Sequence, residues 1–188
     1  MSRAIEIPAE LRGELVRLRP LQERDLAPFV AAYAEDPDLG PAAGMEHDPS
    51  EESLRERLAA QPAGAAEGRF VELAVTEAGD DRLAGTVVLH SIDWRHQHAE
   101  AGFWFGREFR GRGLATESVG LIVDWAFAEL GMHRVEMITI TSLPHCERVV
   151  ALAERLGFRP EGILRGRNFE RGRRLDALML AVLRDERM

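Results

Sequence analysis

Residues Phe103–Glu117, FWFGREFRGRGLATE, carry the most chemistry per residue in this chain. A strand-like run enters Arg110-Gly111-Arg112-Gly113, and a long amphipathic stretch begins directly after it. Glycines let a turn aim its backbone N–H groups at a ligand without Cβ obstruction, and a helix N-terminus adds partial positive charge. Arg110 and Arg112 add full charges. Such a nest suits a pyrophosphate. A glycine-rich turn with solvated arginines is the plain alternative.

Two nucleotide motifs compete for the segment and fail. A Walker loop needs GxxxxGK[ST], and the chain has no Lys. A Rossmann fingerprint needs a third glycine where Thr116 stands, in a parallel βαβ unit near the start of the fold.

The elements that would hold this loop follow from periodicity. Leu15–Arg19 alternates as a half-buried strand, and Leu26, Phe29, Val30 and Tyr33 then recur at helical spacing. Asp48-Pro49-Ser50-Glu51 reads as a helix start with Asp48 as N-cap and Pro49 at N1, the helix running to Ala60 and Gln61–Gly68 forming a loop. Phe70–Thr76, Leu83–Ile92 and Ala99–Phe105 read as an antiparallel meander. Val119, Ile122, Val123, Ala126, Phe127 and Leu130 mark a helix that Gly131 stops. Arg134–Ile140 is a strand, and Val149, Leu152, Ala153 and Leu156 mark a helix ending at Gly157. Strands Arg159–Arg165 and Ala177–Leu183 close the chain around an Arg-rich turn. The order β α α β β β α β α β β predicts a mixed α/β, single-domain fold over residues 1–188, with one mostly antiparallel sheet of about seven strands and about four helices.

Composition narrows the function. The 188 residues are 45% hydrophobic and 30% charged, which suits a globular chain. A formal charge of -8 opposes nucleic-acid binding, which leans on many phosphate contacts. Cys146 is the only cysteine, so no intramolecular disulfide can form and a Cys-based zinc site lacks partners. No signal peptide or apolar run of membrane-spanning length is visible, so a cytoplasmic location and no membrane partner are expected.

With its motifs in order, the chain resembles the GNAT superfamily of acyl-CoA N-acyltransferases. It is closest to the branch that includes the ribosomal-protein N-terminal acetyltransferases RimJ and RimL. Val16–Pro20 with Asp25-Leu26 resembles the branch's opening strand and helix, and Gly102–Phe105 its GYW-type fourth strand. Gly111–Glu117 (GRGLATE) resembles its GxGxATE loop. Leu143-Pro144-His145, Glu154–Phe158 (ERLGF), Glu161-Gly162 and Asp176 follow at familiar spacing. The resemblance implies acetyl-CoA, or another acyl-CoA, as co-substrate, with its pyrophosphate on Arg110, Gly111, Arg112, Gly113, Leu114, Ala115 and Thr116. It places the pantetheine arm along the backbone of Phe103, Trp104 and Phe105, with Cys146 beside it. It leaves a homodimer open.

Transfer to an amine needs an unprotonated nucleophile, whereas α-amino groups have pKa values near ~8 and Lys side chains near ~10.4. A carboxylate raised by burial can take the proton. Glu100 stands where several family members carry a fourth-strand catalytic Glu; Glu72 is the substitute. For the general acid, the only Tyr, Tyr33, lies near the other end of the chain. The branch's NxxS pattern becomes Cys146 and Val149 here, leaving Ser142 or Cys146 as weak donors. Ala177 replaces the branch's usual His.

The leading reading is thus transfer of an acetyl or other acyl group to a primary amine of a small molecule or protein N-terminus, by direct attack in a ternary complex. The rival is a catalytically weak acyl-CoA-binding sensor or interaction protein. The acidic stretch Glu35–Glu56 favours a cationic acceptor. Arg165, Arg167, Arg171, Arg173 and Arg174 form a basic cluster that could touch CoA phosphate or RNA, with a solvated hairpin tip as the plain reading. His96 and His98 lack an evident third ligand and read as a surface turn, so no metal is expected.

Overall fold

The computed structural model describes residues 3–36, 49–170 and 172–187. Its strands are β1 (Leu11–Arg12), β2 (Val16–Pro20), β3 (Val71–Glu77), β4 (Leu83–Asp93), β5 (His98–Phe105), β6 (Arg134–Ile140), β7 (Arg159–Glu170) and β8 (Arg173–Leu183). Its helices are α1 (Leu26–Glu35), α2 (Glu51–Ala66), α3 (Leu114–Ala128) and α4 (Cys146–Arg155). One sheet has the order β1-β2-β3-β4-β5-β6-β8-β7, and every pairing is antiparallel except β5 with β6. The mixed α/β fold stands as expected, with β1 an added two-residue strand.

The two sheet faces carry separate cores. On one, Val119, Ile122, Val123 and Ala126 of α3 are fully buried against Ala99, Ala101 and Val135. On the other, Phe29 and Tyr33 of α1 meet Trp104 of β5, with Phe29 and Trp104 centroids 4.4 Å apart edge to face. Two apolar layers on one sheet leave the strand ends free for polar work.

Three expectations shift. Helix α2 is capped by Ser50, whose side chain accepts from the Ser53 N–H at 3.1 Å, so the start lies two residues later than the Asp48 reading; Asp48 itself is outside the described residues. The helix also runs through Gln61–Ala66 despite Pro62, because Gly64 seats against the Phe70 ring and the Ala65 carbonyl accepts from the Ile5 N–H at 2.8 Å. It stops at Gly68, whose φ is +69°. Finally, β7 and β8 run to Glu170 and from Arg173, so Arg165, Arg167, Arg173 and Arg174 sit on strands rather than in a broad tip. Arg171 is outside the described residues.

Candidate active site

Strands β5 and β6 pair only over His98–Glu100 with Arg134–Glu136. Beyond that point β6 stays with β8 while β5 stays with β4, so the two strands part. The wedge leaves the β6-side backbone groups of Ala101–Phe105 without a ladder partner, open to an added extended ligand. A cleft of about 1080 Å³ fills the wedge, lined by both strand segments.

At one end the cleft reaches the N-terminus of α3. Gly111 and Gly113 have φ of +74° and +84°, and Gly113 is the helix N-cap, so the first N–H groups of α3 point outward with no intrahelical acceptor. Gly111, Gly113, Leu114, Ala115 and Thr116 all line the cleft. The arginines behave differently from each other. Nε of Arg110 donates to the Phe105 carbonyl at 2.9 Å and its Nη1 pairs with buried Asp36 at 2.6 Å, which ties the loop to the end of β5 and to α1. Arg112 turns back to Glu77 of β3, Nη1 donating at 3.0 Å, and does not line the cleft. The nest therefore rests on backbone N–H groups and Arg110 rather than on a pair of free arginines.

Glu117 has a bracing role. Its carboxylate accepts the N–H groups of Glu14 and Leu15 at 2.8 Å and of Val16 at 2.9 Å. A Cβ on Gly13 would lie 2.4 Å from the Glu117 carboxyl carbon, so only glycine permits this approach.

Further along, period-two alternation and register bring the ionisable groups together. Glu100 is opposite His90 on β4 and Glu136 on β6, while Gly102 is opposite Val88, which is opposite Glu72. Nε2 of His90 lies 3.9 Å from Oε1 of Glu100, and Nδ1 of His90 lies 3.0 Å from Oγ of Ser91. Burial raises the Glu100 carboxyl; the Arg167 charge opposes that shift and Glu136 adds to it. Burial lowers His90, and the Arg57 and Arg167 charges lower it further. Ser91 has a φ of +51°, strained for a serine, at a break in the β4–β5 register that fixes where His90 points.

Glu72 is 1% exposed and is already engaged. It accepts from Arg57 Nε at 2.8 Å and from Thr86 Oγ1 at 2.9 Å. Glu72, Arg57, His90, Glu100 and Arg167 all line the cleft.

The remaining candidates scatter. Phe103, Trp104 and Phe105 line the wedge; Ser142 is exposed in the turn before α4, and half-buried Cys146 opens that helix. Neither Ser142 nor Cys146 is in the lining, whereas their neighbours Leu143, His145 and Val149 are. Tyr33 packs in the aromatic cluster, and burial holds its hydroxyl far above the usual phenol range. Asp38, Glu46 and Asp48 of the acidic stretch fall outside the described residues. His90 and Arg57 escaped the sequence reading, while Arg167, read there as part of a basic cluster at a hairpin tip, lines the cleft. Alternation along Leu83–Ile92 places Thr86, Val88 and His90 on one face, and that was the signal available for His90.

Residues 16–159 match the acetyltransferase (GNAT) domain family. YdaF of Bacillus subtilis, named provisionally as a ribosomal N-acetyltransferase, is 32% identical over 121 residues, covering 63% of this chain and 64% of YdaF. YjcK of the same organism, named provisionally as an N-acetyltransferase, is 30% identical over 177 residues, covering 92% of this chain and 96% of its own. The crystal structure of spermidine N-acetyltransferase from Vibrio cholerae, in complex with CoA and spermine, shares the fold with a TM-score of 0.77 at 23% identity, over 91% of this chain and 96% of that one. Among the described residues no helix is long and apolar enough to cross a membrane. A split sheet, a glycine-capped helix N-terminus at one end of its cleft and matches over most of the chain lead to one conclusion: the chain belongs to the GNAT family and is an acyl-CoA-dependent N-acetyltransferase.

Proposed function

We propose that this enzyme transfers the acetyl group of acetyl-CoA directly to a primary amine, with Glu100 accepting the amine proton and His90 positioning it. The observation that carries the reading is the row His90–Glu100 at the point where β5 and β6 separate, in the same cleft as the α3 N-terminus.

The Gly111–Thr116 N–H groups and Arg110 hold the pyrophosphate, and the open edge of Ala101–Phe105 takes the pantetheine arm as an added strand. The thioester then lies within reach of Glu100. An ammonium entering from the Glu72 side gives a proton to the Glu100 carboxylate, whose raised affinity for protons suits the task. The free amine attacks the thioester carbonyl, the C–N bond forms, the C–S bond breaks as the sulfur leaves as a thiolate, and the second proton of the new amide nitrogen passes to that thiolate, giving the amide and the CoA thiol. A thiol of ordinary pKa near ~8.5 leaves without a strong acid, so Ser142 and Cys146, outside the lining, have no role in this step. His90, kept neutral by burial, sits beside Glu100 without a competing positive charge. Glu72 and Glu100 at the acceptor end favour an amine, the class of group that the relatives' names share.

Thermal unfolding with acetyl-CoA, free CoA, succinyl-CoA, NADH and ATP tests the ligand. At ~100 times its Kd a ligand adds ~2.7 kcal/mol, several degrees in Tm for a chain of this size. A rise with CoA species alone supports the reading, and a rise only with NADH or ATP overturns it. Glu100→Gln separates enzyme from sensor: turnover on an amine panel collapses while the acetyl-CoA shift persists. Equal turnover removes Glu100 from the mechanism.

A further inference from the structure

Away from the cleft, the β4–β5 turn gathers three donor side chains. Asp93 closes β4, His98 opens β5 and His96 stands between them. Nδ1 of His96 lies 2.9 Å and Nε2 of His98 3.9 Å from Oδ2 of Asp93, and the three donor atoms fall within 4.8 Å of one another. We propose that Asp93, His96 and His98 bind one divalent transition-metal ion of the zinc or nickel type, at a site separate from acetyl transfer.

Two imidazoles and one carboxylate suit borderline divalent ions rather than calcium or magnesium, which want oxygen ligands throughout. Around a tetrahedral zinc with ligands at 2.0–2.1 Å, donor atoms sit about 3.3 Å apart. Separations from 2.9 Å up to the 4.8 Å limit bracket that distance, so small side-chain rotations close the site. The side chains are 38%, 63% and 33% exposed for Asp93, His96 and His98, which leaves an entry path and room for a water ligand.

The backbone is built to hold the three together. Oδ1 of Asp93 accepts the N–H groups of Arg95 at 2.9 Å and His96 at 2.8 Å, which orients Oδ2 toward the two rings. Gln97, between the histidines, has a φ of +56°, and with Ser91 it is one of two non-glycine residues in that region among the described residues. Its carbonyl accepts the N–H groups of both His133 at 2.7 Å and Arg134 at 3.1 Å, which clamps the strained turn. The His96 and His98 rings consequently lie 21° from parallel, with centroids 6.4 Å apart. Binding requires the proton of His96 to reside on Nε2, a tautomer change that leaves the ring neutral. None of the three residues lines the cleft, but the strands they would tie together carry His90 and Glu100.

A turn held only by its Asp–His hydrogen bond predicts no metal affinity, so titration decides. Zn²⁺ and Ni²⁺ are titrated calorimetrically into tag-free, chelator-treated protein. One equivalent should bind with a micromolar Kd, and Asp93→Asn, His96→Ala and His98→Ala should each weaken it at least about tenfold. Cys146→Ser should leave it unchanged. At ~100 times the Kd, Zn²⁺ should raise the Tm by about 5–10 °C. No saturable binding below about 1 mM, binding indifferent to all three substitutions, or binding lost with Cys146→Ser would each overturn the proposal. His96 is the most exposed of the three, and an undiminished acetyl-CoA thermal shift in His96→Ala shows that the variant is folded.

Discussion

Replacing Glu117 by alanine tests whether the α3 N-terminus is braced from the N-terminal strands. The change removes one carboxylate that accepts three backbone N–H groups, from Glu14, Leu15 and Val16, all at 2.8–2.9 Å. Hydrogen bonds to a charged acceptor contribute about 1.5–3 kcal/mol each when desolvated. Glu14 and Leu15 are exposed and their N–H groups can turn to water, so their losses fall well below that range. Val16 is 1% exposed, and its orphaned N–H carries a desolvation penalty of about 1–3 kcal/mol. The sum is about 3 kcal/mol, a Tm drop of about 6–12 °C for a chain of this size. Glu117 also sits in the first turn of α3, so the same variant should raise the KM for acetyl-CoA more than it lowers kcat. Urea unfolding gives the stability and a thiol-release assay gives the kinetics. A loss under about 0.5 kcal/mol with an unchanged KM would refute the bracing role, because surface substitutions without such contacts stay within that range.

Glu100→Gln should lower kcat by about 10²–10⁴, the usual contribution of a positioned base. It should also stabilise the protein at pH 7. A carboxyl whose folded pKa lies above its unfolded value costs stability once pH exceeds the unfolded value, so the gain should appear as pH rises through the folded pKa and vanish in acid. A variant no more stable than the parent across that window would contradict burial as the cause. Gly113→Ala, at a φ of +84°, should cost about 1–2 kcal/mol and raise the acetyl-CoA KM; Gly79→Ala, at +87° in the β3–β4 turn with open space around it, should cost the same and leave the KM alone. Equal KM effects would detach the helix cap from ligand binding. Asp25→Ala should cost about 3 kcal/mol, the low end for a broken buried pair, because Arg19 keeps Asp81 at 3.0 Å after losing bonds of 2.7 and 2.9 Å to Asp25. Denaturation showing a loss below about 1 kcal/mol would mean that Arg19 swings to solvent.

The parts of the fold set by local periodicity were legible in the sequence, and those set by tertiary contact were not. Arg134–Ile140 was readable to the residue because its apolar alternation ends where its pairing does. Gln61–Ala66 was not, since Pro62 and Gly64 speak locally for a loop and the deciding contact is with Phe70. β7 was read as a strand only to Arg165, short of its end at Glu170, for another reason. None of its residues is buried, so its far half carries no alternating apolar signal and owes its extent to pairing with β8. Within the site, the glycine-arginine loop was visible as a motif. The division of labour between Arg110, tied to Phe105 and Asp36, and Arg112, tied to Glu77, depends on side-chain reach that spacing does not encode.

The end of the cleft proposed to take the acceptor concentrates groups that a purely structural core would avoid. Glu72 is paired with Arg57, which offsets the cost of its burial, but among the described residues Glu100 has no partner closer than His90 at 3.9 Å. A half-buried carboxylate whose nearest neighbour is a distant neutral ring is held in a costly state, which the Arg167 charge relieves only in part. The register explains why it persists: Glu100 is the last β5 residue paired with β6, so its side chain stands where the wedge begins. Moving the carboxylate one residue toward the turn would flip it to the α3 face, among Ala99, Val123 and Val135, and two residues would withdraw it from the opening. Position 100 is the place on β5 where the proposed base would meet a ligand entering the gap, and the stabilisation expected of Glu100→Gln measures what its burial costs.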